Sequence, residues 1–312
     1  MRVIITGGTG LIGRALVQVL AREEDETIVL SRAPARAVQL FQQQDLSTVR
    51  VVGWDARTVE GWGELLNAEC ALVNLAGATP AHWRWTAAYR KEILESRLRA
   101  GRALLQAIER YGPPALLVQA SASGYYGDRQ QELLPETSPP GCGFRAEVCQ
   151  QWEAITASVP TRRCIIRTGL VLDAQEGAFP PLLLFARLCG RQLGSGEQWL
   201  PWIHREDVAR AISFLLRQRA LAGAFNLCAP EAVTSRECIR EIQRLLKRPS
   251  LFPLPAFVLR AALGELASVV LDSQHLLPKR LLEAGFAFSY PRFDEALRQV
   301  LQGEGADRIE RR

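Results

Sequence analysis

The chain has 312 residues, a length that points to about two domains. Hydrophobic residues make up 48% and charged residues 23%, with 24 Gly and 17 Pro, which excludes a disordered, collagen-like or coiled-coil chain. No run reaches the roughly 18–20 apolar residues of a membrane span. The N-terminus passes from Met1 directly into an apolar run and a glycine turn, without the apolar core of a signal peptide, so the cytoplasm is the expected compartment.

Lys and Arg number 38 against 33 acids. The Arg residues are scattered singly along predicted helices, the pattern of a solvated face, so no nucleic-acid partner is expected. Lys occurs only at positions 91, 247 and 279. The seven Cys (70, 142, 149, 164, 189, 228, 238) show no Cys-x-x-Cys spacing and read as reduced, mostly buried thiols. His82, His204 and His275 stand far apart, and nothing has metal-ligand spacing, so no metal is expected.

In chain order, Arg2–Thr6 is a Val/Ile-rich run ending at glycines and reads as a buried strand. Leu11–Arg22 carries Leu11, Ala15, Leu16, Val19 and Leu20 at helical spacing. Strands follow at Thr27–Leu30, Thr48–Gly53 and Ala71–Leu75, then a long helix over about 86–109. A fifth strand at Ala115–Ala120, a helix over about 144–157 and a sixth strand at Arg163–Arg167 continue the alternation. Each crossover returns the chain to the same edge, so the fold class is α/β with a doubly wound parallel sheet. Beyond residue 172 the pattern loosens to a helix at Val208–Leu216, a strand at Ala224–Leu227 and a helix at Ser235–Leu246. Three prolines between Arg248 and Pro255 mark a boundary. The expected domains are therefore 1–248 and a smaller, mainly helical C-terminal lobe at 249–302, its helices at about 257–270, 279–284 and 293–301. Residues 303–312 are expected to fray.

Between the first strand and the first helix lies Thr6-Gly7-Gly8-Thr9-Gly10-Leu11-Ile12-Gly13. Gly7 permits a tight turn, Gly10 lets the backbone approach a pyrophosphate, and Gly13 lets the helix pack on the strand. The phosphates meet unpaired N–H groups and the positive end of the helix. At the end of the second strand an NAD site places a carboxylate for the ribose 2′-hydroxyl. This chain has Ser31-Arg32 there, while Glu23–Glu26 come before the strand. A guanidinium grips a 2′-phosphate that a carboxylate repels, so NADP(H) is the expected cofactor, with Arg36 as an assistant. The alternative is that Arg32 only stacks on adenine. Val73-Asn74-Leu75-Ala76-Gly77 puts small residues where a cofactor ribose would pass, or is simply a turn.

Thr6–Gly13 with Asn74–Gly77 resembles the extended, epimerase-like branch of the short-chain dehydrogenase/reductase superfamily, a Rossmann fold. Ser121-Ala122-Ser123-Gly124-Tyr125-Tyr126-Gly127 looks like its serine and tyrosine-glycine segment. Pro201–Asp207 and Gly223–Pro230 are similar to its "I-H-x-x-D" and "G-x-x-N" segments. Arg84-Trp85-Thr86, Lys91-Glu92, Ser96-Arg97, Trp152-Glu153, Arg167–Leu172, and the block from Leu263 through Pro278 to Phe288 resemble one atypical subfamily over about residues 1–302. That subfamily carries its own C-terminal domain of unknown function and is labelled NAD(P)-dependent epimerase/dehydratase-like, sometimes cell-division-inhibitor-like. The resemblance implies that Gly7, Thr9, Gly10, Leu11 and Ile12 wrap the pyrophosphate and that Ser31 and Arg32 hold the adenosine phosphate. It puts Leu75 and Ala76 along the ribose and Val171 near the nicotinamide carboxamide. Glu92 and Arg97, five apart and roughly on one helix face, would point at the cofactor or else form a surface ion pair.

Active members of the superfamily use Tyr-x-x-x-Lys, the lysine lowering the phenol's pKa. Here the tyrosine slot holds Cys149 and the lysine slot Glu153, and no lysine follows a tyrosine by four. The substitutes are Ser121, with Ser123 next, Tyr126 and Glu153. Tyr126 supplies a phenol or only packs; Glu153 acts as acid or base if burial raises its pKa, or bonds the ribose hydroxyls. Cys149 reads as inert for want of a base, and His204 either approaches the cleft or caps the following helix. Two functions follow: an NADP(H)-dependent, epimerase-like oxidoreductase for a small organic substrate, or a catalytically weak NADPH-binding regulator of a protein partner. Polar groups converging on the nicotinamide would favour the first, and a closed or apolar cleft with an exposed patch the second.

Overall fold

The computed structural model describes residues 1–79, 85–188, 190–249 and 252–310, side chains excepted at 191 and 303–310. Expectations resting on His82, Arg84 and Cys189 lie outside the described residues. Seven strands form one sheet: β1 (Arg2–Thr6), β2 (Glu26–Ser31), β3 (Arg50–Gly53), β4 (Ala71–Asn74), β5 (Leu116–Ala122), β6 (Arg162–Thr168) and β7 (Gly223–Leu227). All pairs are parallel, in the order β3-β2-β1-β4-β5-β6-β7. The order reverses between β1 and β4, so a crevice opens at the carboxyl ends of these strands, the place where such sheets bind ligands.

The strands are apolar on both sides because helices cover both faces. Val3 and Ile5 of β1 face one core, with Val29, Val73 and Val118. α1 (Leu11–Arg22), α2 (Pro34–Gln42) and α6 (Arg205–Arg217) close it through Leu16, Phe41 and Ile212. Ile4, between them in sequence, faces the other core with Ile28, Leu72 and Leu117, under the Ala100, Leu104 and Ala107 face of α3 (Ala87–Tyr111). That alternation is the period of two expected of strands. Thr86 caps α3 by accepting from the Tyr89 N–H, and Gly112 at φ 97° ends it. α4 (Phe144–Ala154) follows on the same side, packed on α3 and β5.

A separate core joins α5 (Phe179–Arg187) and α7 (Ser235–Leu246) to the C-terminal segments α8 (Ala256–Leu263), α9 (Ser268–Leu271) and α11 (Phe293–Glu310). Phe179, Ile239, Leu259, Phe293 and Leu297 meet there. The short α10 (Lys279–Glu283) instead brings Leu281 to the sheet's own core.

The structure differs from the sequence reading in four places. α2 gives no clear sequence signal because only Ala37 and Phe41 are buried in it, too few to show a period. α5 has two prolines in its first turn and is apolar on most sides; proline is tolerated there because those N–H groups lack intrahelical partners. The helix expected over 257–270 breaks at Gly264, where φ is +59°. The last helix does not stop near Leu301 but runs to Glu310.

Candidate active site

The glycine turn has the conformation its spacing requires. Gly7 is at φ +70°, and a Cβ there would lie 2.7 Å from the Leu75 carbonyl oxygen. A Cβ on Gly13 would come within 2.3 Å of the Gly7 oxygen, so neither position can carry a side chain if α1 is to start so close to β1. Gly10 differs: it is exposed, and a Cβ there would meet only the Gly7 oxygen at 3.4 Å. No side chain caps α1, which leaves its first-turn N–H groups facing the crevice and available to an anion. Thr9, Leu11 and Ile12 border it, half-buried. Arg14 ties the turn down, donating to the Thr9 carbonyl and pairing with Glu176 at 2.8 Å.

A buried polar chain fixes the neighbouring strand ends. Thr6 Oγ1 donates to Asn74 Oδ1 at 2.7 Å, Asn74 Nδ2 to Gln119 Oε1 at 3.0 Å, and Gln119 Nε2 to the Ala120 carbonyl. Thr6 Oγ1 also accepts from the Ala76 N–H, and the Leu75 N–H donates to the Thr6 carbonyl. Leu75 and Ala76 are thereby held against the glycine turn. At the end of β2, Ser31 is buried with Oγ accepting from the Ala33 N–H, and Arg32 and Arg36 are exposed. No carboxylate follows β2 before Asp45.

Glu92 and Arg97 do not share a face of α3. At 3.6 residues per turn, a separation of five turns the side chains about 140° apart. Glu92 is half-buried and pairs with Arg99 at 2.6 Å. Arg97 is buried, donates to the Ile93 and Ala78 carbonyls, and lies 4.6 Å over the Trp152 ring. Only Arg97 faces the crevice, and Gly77 gives it room, since a Cβ there would meet the guanidinium carbon at 3.0 Å. Val171 sits in a short strand, Leu170–Leu172, paired with Trp202–His204; it packs on the sheet's core, while Thr168, Gly169 and Leu170 face the cleft.

The three expected catalytic side chains come together, but around a cation. Arg167, buried at the end of β6, holds Glu153 in a two-pronged pair, Nε to Oε1 and Nη2 to Oε2, both 2.9 Å. Ser121 Oγ donates to Glu153 Oε1 at 2.7 Å. Arg167 Nη1 donates to the Tyr126 oxygen at 3.0 Å, and that hydroxyl donates to Asn226 Oδ1 at 2.7 Å. The guanidinium also lies 3.5 Å over the Tyr125 ring. Burial pushes the Tyr126 phenol up to about 12 although Arg167 opposes the shift. None of Ser121, Tyr126 or Glu153 lines the cleft. Sequence reasoning gives Arg167 no role of its own, although a charge after Cys-Ile-Ile in a buried strand is a signal for one.

The cleft itself, of about 200 Å³, lies between the ends of β5 and β6, α4 and the C-terminal lobe. Its wall is mainly apolar and includes Trp85, Phe144, Trp152, Leu182, Leu200 and Val270. Cys149 is in the wall, buried, and burial raises its thiol pKa. Ser123 and Thr168 line it too, and among the described residues neither hydroxyl has a protein partner. Opposite them Arg145 donates to the Ser268 carbonyl at 3.0 Å and to Asp272 at 3.2 Å, both in the C-terminal lobe. His204 is not in the wall. Its Nδ1 accepts from the Glu206 N–H and caps α6, and Nε2 meets Gln299 Oε1 at 2.8 Å.

Among the described residues no three His, Cys, Asp or Glu side chains are placed to hold a metal ion, and no helix is long and apolar enough to cross a membrane.

Residues 3–142 match the NAD dependent epimerase/dehydratase family, and residues 254–300 match a domain of unknown function, DUF1731. An epimerase family protein, the SDR39U1 homolog of Arabidopsis thaliana described as chloroplastic, is 38% identical over 308 residues, covering 97% of this chain and 87% of that one. Epimerase family protein SDR39U1 of Bos taurus is 36% identical over 311 residues, covering 96% and 100%. The crystal structure of human SDR39U1 with NADPH superposes with a TM-score of 0.85 at 32% identity, covering 97% of this chain and 99% of that one.

Proposed function

The chain belongs to the epimerase family of extended short-chain dehydrogenase/reductases, and on that premise we propose that it is an NADP(H)-binding oxidoreductase for a small organic substrate. The observation that carries the cofactor reading is the exposed Arg32 at the end of β2, with no carboxylate beside it, next to the strand whose end opens into the glycine turn. A guanidinium there favours a 2′-phosphate by charge, and the SDR39U1 relative was crystallised with NADPH. Gly7, Thr9, Gly10, Leu11 and Ile12 would hold the pyrophosphate, Ser31 and Arg32 the adenosine end, and Leu75, Ala76 and Arg97 the stretch beyond. Bound there, the cofactor supplies or accepts a hydride. The protein's own part is to orient the substrate in the cleft and to exclude water with the apolar wall.

Proton handling does not run through Tyr126 or Glu153, which are closed into the Arg167 network. Ser123 and Thr168 are the hydroxyls free to bond a substrate oxygen at that edge. The closed network and an apolar cleft also suit a second reading, a catalytically weak NADPH-binding protein that regulates a partner. Fluorescence titration with NADPH and NADH tests the cofactor, and equal affinities refute it. NADPH consumption in a desalted metabolite extract, lost in Arg32→Asp, separates the enzyme from the regulator.

A further inference from the structure

The match to DUF1731 assigns residues 254–300 no role, yet part of this segment forms one wall of the cleft. Val269, Val270 and Asp272 come from it, opposite Phe144, Arg145 and Val148 of α4. The charges facing this cleft, among the described residues, are Arg97, Arg145 and Asp272. Arg97 is turned to the β4 side and engaged by the Ala78 and Ile93 carbonyls and the Trp152 ring. Arg145 is the cation that a substrate anion in the rest of the cleft would meet. It is held in place from below, because Gly124 leaves its Cβ and Nε room at 3.2 and 3.3 Å from where a Cβ would stand. Its Nη1 is already bonded to the Ser268 carbonyl and to Asp272. The two side chains are only 19% and 22% exposed, so the pair is shielded from the water and salt that weaken surface ion pairs.

Nucleoside diphosphates and carboxylates need an uncommitted cation or several donors to replace their hydration. Here an entering anion meets a guanidinium already neutralised and the carboxylate that neutralises it. The remaining surface favours an apolar body, with Trp85, Phe144, Trp152, Leu182, Leu200 and Val270 in its wall. Ser123 and Thr168 give one polar end, since β5 and β6 run with Ala122 beside Thr168 and Ser123 follows directly. An apolar cavity of about 150 Å³ holds a benzene ring, so a cleft of about 200 Å³ suits a molecule of about that size.

We propose that the cleft selects an uncharged, mainly apolar molecule with one carbonyl or hydroxyl group, and that Asp272 sets this preference by occupying Arg145. The inference rests on the oxidoreductase reading above for the identity of the site. The C-terminal domain thereby acquires a role in specificity, because it brings the carboxylate that turns a potential anion site into a neutral one.

The test uses protein saturated with NADP⁺, so that no turnover occurs, and isothermal titration calorimetry with three probes. These are 4-phenyl-2-butanone, its carboxylate counterpart 3-phenylpropanoate, and UDP. NADP⁺ binding is measured first and alone; its absence overturns the cofactor reading, and the probes are then titrated into the free protein. The wild type is expected to bind the ketone about tenfold or more tightly than either anion. Asp272→Asn is expected to tighten 3-phenylpropanoate by about tenfold, and adding Arg145→Met to abolish that gain. Unchanged NADP⁺ affinity in both variants shows that they fold. Anions that bind as tightly as the ketone, a ketone that does not bind, or a carboxylate affinity indifferent to Asp272→Asn each overturn the proposal.

Discussion

Glu153→Gln separates the two roles open to this residue. If Glu153 is an acid or base, the substitution abolishes turnover and leaves the fold alone. The geometry predicts the reverse order of effects. Both carboxylate oxygens accept from Arg167 at 2.9 Å, and Oε1 accepts from Ser121 as well. An amide in their place sets an N–H₂ donor against a guanidinium donor and leaves a buried positive charge without its counter-ion. Removing one partner of a buried pair costs about 3–5 kcal/mol, against a total stability of about 5–15 kcal/mol. At roughly 2.1 cal/mol/K of unfolding entropy per residue, a chain of 312 residues shifts by about 1.5 °C per kcal/mol, so the melting temperature falls by roughly 5–8 °C.

Circular dichroism melts with and without NADPH measure this directly. A cycle completes the argument: Glu153→Leu with Arg167→Met removes both charges, and the double variant should be more stable than the sum of the singles implies. The reasoning is refuted if Glu153→Gln melts within about 2 °C of wild type while NADPH consumption disappears, because that is the signature of a catalytic carboxyl.

Three further outcomes are expected. Arg32→Asp should weaken NADPH binding by about tenfold or more while NADH binding stays the same or improves, because a charge-assisted contact is exchanged for repulsion; parallel loss of both cofactors in a titration argues against 2′-phosphate recognition. Gly13→Ala should lower the melting temperature and NADPH binding together, its Cβ falling 2.3 Å from the Gly7 oxygen, whereas Gly10→Ala, with only a 3.4 Å contact, should keep its melt and lose cofactor affinity. His204 has its pKa lowered by burial, so the unfolded chain binds its proton more readily. Stability from His204 is then full above about pH 6.5 and lost as the pH falls through the lower folded value; His204→Gln should flatten that stretch of a stability-against-pH curve.

The doubly wound sheet is legible because its strands are short apolar runs between glycines and helices, a local signal at every crossover. The glycine turn is legible for the same reason: Gly7, Gly10 and Gly13 act within eight residues of one another. The sequence also points correctly to the epimerase-like family, through motifs that lie at strand ends. The cleft is not legible, since it joins α4 to a lobe far along the chain; Arg145 and Asp272 are 127 residues apart. Nor can residue type reveal that Ser121, Tyr126 and Glu153 are joined through Arg167. The shared face expected for Glu92 and Arg97 fails on helix arithmetic alone.

Two of the family-like segments, Pro201–Asp207 and Gly223–Pro230, also help fasten the C-terminal lobe. Asp207, fully buried at the start of α6, accepts from the Ser289 and Tyr290 N–H groups. Asn226 donates to the Leu134 and Leu277 carbonyls, and Arg280 reaches back to the Ala222 and Ala224 carbonyls beside β7. Glu231 receives the Phe293 N–H, and His204 reaches Gln299. These bonds tie the sheet to the lobe at separate points along both, and beside Asp272 the Ser273 N–H and Gln274 Nε2 donate to Asp128 and the Gly127 carbonyl, just beyond Ser123. On the proposed oxidoreductase reading, pre-set spacing of that kind is what a site without a tyrosine–lysine dyad needs, because orientation and dehydration of the substrate must do more of the work when no lowered phenol is at hand. The buried Tyr126, held up at about 12, bonds Asn226 and Arg167 within this anchoring, and the proposed oxidoreductase reading leaves the chemistry to the cofactor and the cleft wall.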